Sequence, residues 1–400
     1  MPIFDDSEPQ KKAVLAFHLF VWAAIVSFLY CLITDQYNGD FYPRYVYVPV
    51  YVLAFVLVLT VIPYAFLWRL TSIVDRMPAL PSIRTSNALL VALLLVVFGW
   101  NIFATVAYGV AVMDSEVYSA SGPISLAIQV GNRIDPFYVG AFFILATPKK
   151  WRFDVLAAVL MIGTGLLRAG LGAFIYVFIA VSIKYKDEII NFIRTRKILS
   201  VFIIISIPLV ISLLYGIRAE IRGDQLQSLS TTELLLGRFV GRLTSFPNVV
   251  YIVQESAIFR WVSHSLSSFY FIKQGAVSVL GSAVAPAVTP ERLLIEGGGY
   301  YDGNSTYMAG LAGNLMMAWF LSPWVAAMNA AVVLGTTFLV LFMSRGFANG
   351  EAQAFGVGML LYPLTSGVAH EFAYLLVNTA FLFFFVLLFR VPSETTHRNE

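Results

Sequence analysis

Apolar residues fall in long blocks separated by short polar stretches. Such blocks lie near 12–33, 45–68, 87–112, 123–147, 198–215, 322–344, 353–369 and 372–390. A helix needs about 20 apolar residues to cross the hydrocarbon core of a bilayer, so each block predicts a membrane span. The stretch 153–183 is also apolar but is interrupted at Arg168. The segment 305–321, rich in Gly, Ala and Met, reads as the outer lead-in to the span that follows it. The first block lacks a small-residue cleavage site before Thr34 and reads as a retained span rather than a cleaved signal.

Sidedness follows from lysine and arginine, which concentrate in short cytoplasmic loops. Arg69, Arg76 and Arg84 lie between the second and third spans, and Lys149, Lys150 and Arg152 follow the fourth. Lys184, Lys186, Arg194, Arg196 and Lys197 precede the run at 198, and Arg345, Arg390 and Arg398 mark the last inner segments. The opposite loops are nearly bare, with Arg44 in the first and no basic residue in 113–122. Both termini are therefore expected in the cytoplasm. Because 153–183 is flanked by basic residues at both ends, it predicts a hairpin of two short helices with its tip at 167–172. Each arm of about 15 residues would rise roughly 22 Å, short of a hydrocarbon core of about 30 Å. Arg168 would then sit at or just below the outer surface.

The same alternation puts 216–305 outside as one large loop, far longer than an ordinary connection. Thr231 and Thr232 ahead of Glu233 and an apolar pattern reaching Leu243 predict a capped amphipathic helix. Phe269 to Leu280 is apolar enough to lie on the membrane, and Gly297, Gly298, Gly299 and Gly303 mark a turn region. The chain thus divides into an N-terminal bundle over 1–215, the outer loop 216–305, a C-terminal bundle over 306–392 and a tail, 393–400. With the hairpin counted, the first bundle has about seven spans and the whole about ten.

Composition narrows the function. Charged residues make up 12% of the chain, where a soluble domain carries roughly 25%, so an ordinary soluble enzyme is excluded. Cys31 is the single cysteine, which excludes an internal disulfide and a zinc site with several thiolates. No Walker A, HExxH or CxxC motif is present, and neither a metal nor a nucleic-acid partner is expected.

What remains is polar chemistry on the outer face. Arg218 and Arg222, then Arg238 and Arg242, are spaced four apart, which puts each pair on one helix face. Arginine grips phosphate oxygens with a planar fork and keeps its charge near lipid, so a lipid-linked diphosphate is a natural ligand. The bland alternative is that these arginines pair with Glu220, Asp224 and Glu233. Arg168 inside an apolar stretch costs a few kcal/mol unless paired or wetted; its alternative role is an interfacial anchor. His370 and Glu371, in the turn before the last span, are candidate general bases. Arg292 is a weaker member of the arginine set, and Asp302, Glu255 and His264 are weaker candidates for the base. Arg133 and Asp135 lie within the fourth block beside Pro136 and read as an internal ion pair, with a substrate role as the second option.

This layout resembles the bacterial polysaccharide repeat-unit polymerases, the Wzy-type O-antigen or capsule polymerases, which are related to the O-antigen ligases. The resemblance rests on the hairpin Thr164-Gly165-Leu166-Leu167-Arg168-Ala169-Gly170, on the arginine-bearing outer loop, and on Gly303-Asn304-Ser305-Thr306 followed by Gly310, Gly313 and an apolar run. It implies an all-α, GT-C-like polytopic protein of the bacterial inner membrane that transfers glycosyl groups on the outer side without metal or cofactor. The donor would be a glycan on undecaprenyl diphosphate and the acceptor the next lipid-linked repeat unit, with a chain-length regulator and a flippase as partners. Arg168, Arg218, Arg222, Arg238 and Arg242 would hold the diphosphate, and His370 or Glu371 would take the proton of the acceptor hydroxyl. The alternatives are a ligase moving glycan to lipid A core and a lipid-linked oligosaccharide flippase or transporter.

Overall fold

The computed structural model describes residues 8–42, 44–78, 80–108, 131, 133–168, 172–202, 206, 209, 210, 213, 240, 241, 243–280, 284–299 and 308–391. Among them the chain is helical, with three isolated β-bridges and no strand. In chain order the principal helices are α1 (Glu8–Thr34), α2 (Val50–Asp75), α3 (Asn87–Tyr108), α4 (Pro136–Ala146), α5 (Trp151–Leu167), α6 (Gly172–Lys184) and α7 (Lys186–Thr195). They continue as α8 (Phe246–Gln254), α9 (Ser256–Val262), α10 (Tyr270–Leu280), α11 (Pro290–Gly297), α12 (Gly310–Leu321), α13 (Pro323–Ser344), α14 (Phe355–Ser366) and α15 (Ala369–Leu388). Five of these, α1, α2, α3, α13 and α15, are long and apolar enough to cross a membrane, while α4, α6 and α12 are apolar but shorter.

Why these helices belong in lipid is visible in α1. Its buried positions Ala13, Ala16, Phe20, Ala24, Ser27 and Cys31 recur at three- and four-residue spacing, which makes one packed stripe. A water-soluble helix would be polar on the other side. Here that side carries Trp22, Leu29 and Ile33, all exposed. The same holds for Phe55, Val58 and Ile62 on α2 and for Leu95, Val96 and Phe103 on α3. Helices that are apolar all round are membrane helices, and the chain is an all-α, membrane-embedded protein.

One end of the bundle gathers the basic flanks. Lys12 of α1 pairs with Glu351 at 3.0 Å, and Lys186 donates to the Lys11 carbonyl at 3.0 Å. Arg345 closes the end of α2 by donating to the carbonyls of Val74 at 2.6 Å and Met77 at 2.9 Å. Ile83 N–H reaches Gly346 O, and Val391 N–H reaches Arg84 O, each at 2.9 Å.

At this end the hairpin expected over 153–183 is closed by a buried ion pair. Lys184, the last residue of α6, meets Asp154 in the first turn of α5 at 2.6 Å, with side chains only 1% and 6% exposed. The other two N–H groups of Lys184 are shared among Ile144 O at 2.6 Å, Thr147 Oγ1 and Pro148 O, and Tyr185 Oη donates to the second Asp154 oxygen. Burying charge is tolerated only when the pair is this fully hydrogen-bonded. α5 runs for 17 residues and ends at Arg168, and α6 for 13.

The far end is built from short pieces. The described part of 216–305 is helical, and α8 does not stand apart from the bundle: Phe246 to Ile252 are buried against α1, α2 and α12. The segment read as a lead-in, 305–321, contains α12, which packs on α2, α8, α13 and α14. The start of α12 and the end of α14 touch backbone to backbone. Gly310 (φ +73°) and Gly367 (φ +69°) both adopt the left-handed conformation that favours glycine. A Cβ on Gly367 would fall 2.1 Å from the Gly310 carbonyl carbon, and one on Gly310 would fall 2.0 Å from Ser245 Oγ.

Two outcomes follow for thermal unfolding of the purified chain in detergent. Lys184→Met leaves the Asp154 charge buried and costs about 3–5 kcal/mol, and the double variant Lys184→Met/Asp154→Leu recovers part of that loss. Gly367→Ala costs about 2 kcal/mol or more, since backbone strain and a backbone collision add. Gly335→Ala, where nothing lies within 4 Å of the added methyl, stays near wild type.

Candidate functional site

A second set of polar residues meets at the end of the bundle away from Lys184. It is built around Asp135. Pro136 occupies the first turn of α4, where its missing N–H costs nothing, and Asp135 is the N-cap. The Asp135 side chain accepts from Phe137 N–H at 2.7 Å. Its backbone N–H donates to Asn378 Oδ1 at 2.8 Å, while Asn378 Nδ2 donates to Arg133 O at 3.2 Å and to Tyr374 O at 2.8 Å. The fully buried Asn378 of α15 thereby pins the turn that presents Asp135.

Two further charges approach Asp135. Arg168, half-buried where α5 ends, lies close enough for its guanidinium to act on the Asp135 carboxylate. Glu371, in the first turn of α15, lies on another side and feels the Asp135 charge. Tyr176 Oη of α6 lies 3.2 Å from Glu371 Oε2 and 3.1 Å from Tyr138 Oη, its single proton serving one of them at a time, and Tyr138 Oη lies 3.5 Å from Glu371 O. Both tyrosines are buried, and the ring of Tyr362 closes edge-on over Tyr176 at 5.4 Å. The result is a cation and two carboxyl groups within electrostatic reach of one another, with two phenols and an amide around them. Such an arrangement can steady an anionic group at Arg168 and receive a proton at a carboxylate.

His370 and Glu371 are neighbours in sequence but face different partners. A helix turns about 100° per residue, so while Glu371 faces α4 and α6, His370 Nδ1 meets Gln274 Nε2 of α10 at 3.3 Å and its ring packs on Tyr374 at 4.0 Å. Arg133, half-buried on the same turn, gives its carbonyl to Asn378, and the side-chain acceptance by Asp135 is used at the α4 N-terminus. The turn that presents Asp135 is held by its N-cap bond and by Asn378, with the Arg168 charge acting on it from the end of α5.

The weaker candidates lie elsewhere. Arg292 is exposed and pairs with Glu296 one turn on at 2.9 Å. Glu255 caps α8 and accepts from Gln254 at 3.3 Å, and His264 is exposed. Arg218, Arg222, Arg238, Arg242 and Asp302, and the expected helix from Thr231, lie outside the described residues, apart from Val240, Gly241 and Leu243 at its end. No group of three or more potential metal-ligating side chains occurs among the described residues. Tyr138, Tyr176 and Asn378 were not singled out from the sequence. The spacing of Glu371 and Asn378, seven apart and so on one face of an otherwise apolar helix, is the signal that marks them. Comparisons with protein families, curated proteins and solved structures give no match for this chain.

Asn378→Leu removes both hydrogen bonds to the 133–135 turn and leaves its buried backbone groups unpaired, costing about 1–3 kcal/mol. Tyr176→Phe removes a single donor and costs about 1 kcal/mol. Thermal unfolding in detergent checks the order of the two.

Proposed function

We propose that this chain is a glycosyltransferase of the bacterial inner membrane that polymerises undecaprenyl-diphosphate-linked repeat units on the outer side. The observation that carries the reading is the meeting of Arg168, Asp135 and Glu371 at the end of the bundle opposite its basic flanks. In this reading Glu371 takes the proton of the acceptor hydroxyl as the oxygen attacks the anomeric carbon of the donor glycan. The bond from that carbon to the diphosphate breaks, and the charge that develops on the diphosphate is met by Arg168, with the loop arginines Arg218, Arg222, Arg238 and Arg242 as further clamps. Asp135 contributes a negative charge within electrostatic reach of Arg168. His370, turned toward Gln274, is the secondary candidate for the base.

A transporter of lipid-linked oligosaccharides is the second reading, and one observation favours it. α4, α12 and α14 are short helices that begin or end within the bundle, at Pro136, Gly310 and Gly367, and interrupted helices are where transporters place their binding sites.

The test is glycan formation in cells that make the cognate lipid-linked repeat unit but lack a polymerase. With the wild-type chain a ladder of glycan lengths is expected. Glu371→Gln should reduce it by about 100-fold or more, Arg168→Ala should leave single-repeat product at equal protein level, and His370→Gln should have the smaller effect. Transfer of preformed polymer from its carrier only when the chain is supplied assigns it as a ligase. Repeat units trapped on the inner leaflet in its absence assign it as a transporter.

A further inference from the structure

Away from Glu371, a second carboxyl enters the bundle with no positive partner among the described residues. Glu291, in the first turn of α11, is half-buried. It accepts from Asn314 Nδ2 of α12 at 3.4 Å. The same Nδ2 donates to Gly367 O at 2.6 Å, at the contact between α12 and the end of α14. Asn314 is fully buried, yet among the described residues its Oδ1 has no hydrogen-bond partner, and neither has the hydroxyl of fully buried Tyr270. Leaving a buried acceptor unpaired costs about 1–3 kcal/mol. No described residue supplies a donor to Asn314 Oδ1.

We propose that Glu291 is a proton-binding site, and that its protonated carboxyl closes an acid–amide pair with Asn314 that ties α11 to the turn leading into His370 and Glu371. The carboxyl oxygen Oε1 accepts from Asn314 Nδ2, and the added proton gives the opposite oxygen the donor that Asn314 Oδ1 lacks. Loss of the proton sets carboxylate oxygen against amide oxygen and loosens the Asn314 bridge to Gly367.

The surroundings agree. Burial raises the Glu291 carboxyl above its ordinary range, against weaker opposing hydrogen bonds from its own backbone, Thr289 and Asn314. No described charge offsets that. On α11 itself Arg292 is spent on Glu296. On α9 Arg260 lies over the Phe320 ring at 5.4 Å, exposed His264 follows in the next turn, and Lys273 of α10 is exposed. α12 adds no ionisable side chain, and beyond Gly367 His370 and Glu371 engage Gln274 and Tyr176. A carboxyl raised in the folded protein makes the native contact strongest below its unfolded value, and the contact weakens as pH climbs through the raised value. This inference does not rest on the proposed transferase activity.

The experiment is infrared titration of the full chain in lipid nanodiscs, paired with hydrogen exchange over 310–314 and 365–371. A protonated-carboxyl band at neutral pH that is absent from Glu291→Gln supports the site, as does a titration midpoint well above the ordinary glutamate value of about 4.3. Exchange of the two segments, corrected for base catalysis, should then accelerate by up to about tenfold per pH unit above the midpoint, and stay flat in Glu291→Gln. Glutamine reproduces the neutral pair as an amide–amide pair, so that variant should fold at least as well as wild type. A Glu291→Gln chain that fails to accumulate, a wild type without the band at neutral pH, or equal exchange in both chains overturns the proposal.

Discussion

An apolar bundle admits charge only on terms. In lipid there is no water to solvate an ion or to satisfy a backbone group that has lost its helical partner, so every charged residue drawn inside has to bring its own shell. Lys184 and Asp154 do this completely: the ammonium is surrounded by oxygens from three segments, and the carboxylate is shared with Tyr185. That closure sets the base of the α5–α6 hairpin. The base in turn decides where Arg168 emerges at the other end. The position of the arginine beside Asp135 is therefore inherited from an ion pair a full helix length away.

The two ends of the bundle answer the same constraint differently. At the basic end, short connections saturate carbonyls with arginine and lysine and leave the helices long. At the other end, helices stop early and the freed backbone groups are taken up by Asn378, Asn314 and Asn248, the last of which donates to Asp40 at 2.9 Å and Met308 O at 2.7 Å. The Asn378 amide both accepts and donates across a helix interface, while Asn314 and Asn248 each serve two acceptors from one NH2 group. Rigid long helices on one side and amide-pinned half-helices on the other are a division of labour between scaffold and site.

Much of the scaffold was legible in the sequence. Long apolar blocks and basic flanks pointed to α1, α2, α3, α13 and α15, and the two basic flanks of 153–183 implied a turn at Arg168 where the structure ends α5. The interrupted helices were not legible, because a hydropathy pattern averages over a break. Nothing in the apolar run around Gly310 or Gly367 announces a left-handed residue; only the backbone contact between them requires it. The candidate site was half legible. Arg168 and Glu371 stand out as charges in apolar surroundings, but choosing between His370 and Glu371 needs the helix phase, and Tyr138 and Tyr176 look like two more aromatics among many. Asp135 was visible, yet the hydrogen bonds that hold its turn come from Asn378, distant in sequence.

The height of the α5–α6 hairpin has a consequence for the lipid around it. At 17 and 13 residues, the arms rise roughly 25 and 20 Å, while the hydrocarbon of an average bilayer is about 30 Å thick. Lipids next to a short element compress to match it, so the membrane dips where the hairpin ends. Head groups there are drawn down toward the protein's interior and acyl chains shorten by tilting. A long-chain amphiphile gliding through the leaflet on that side meets a thin spot at that place, and its polar end is lowered without any part of the protein having to move.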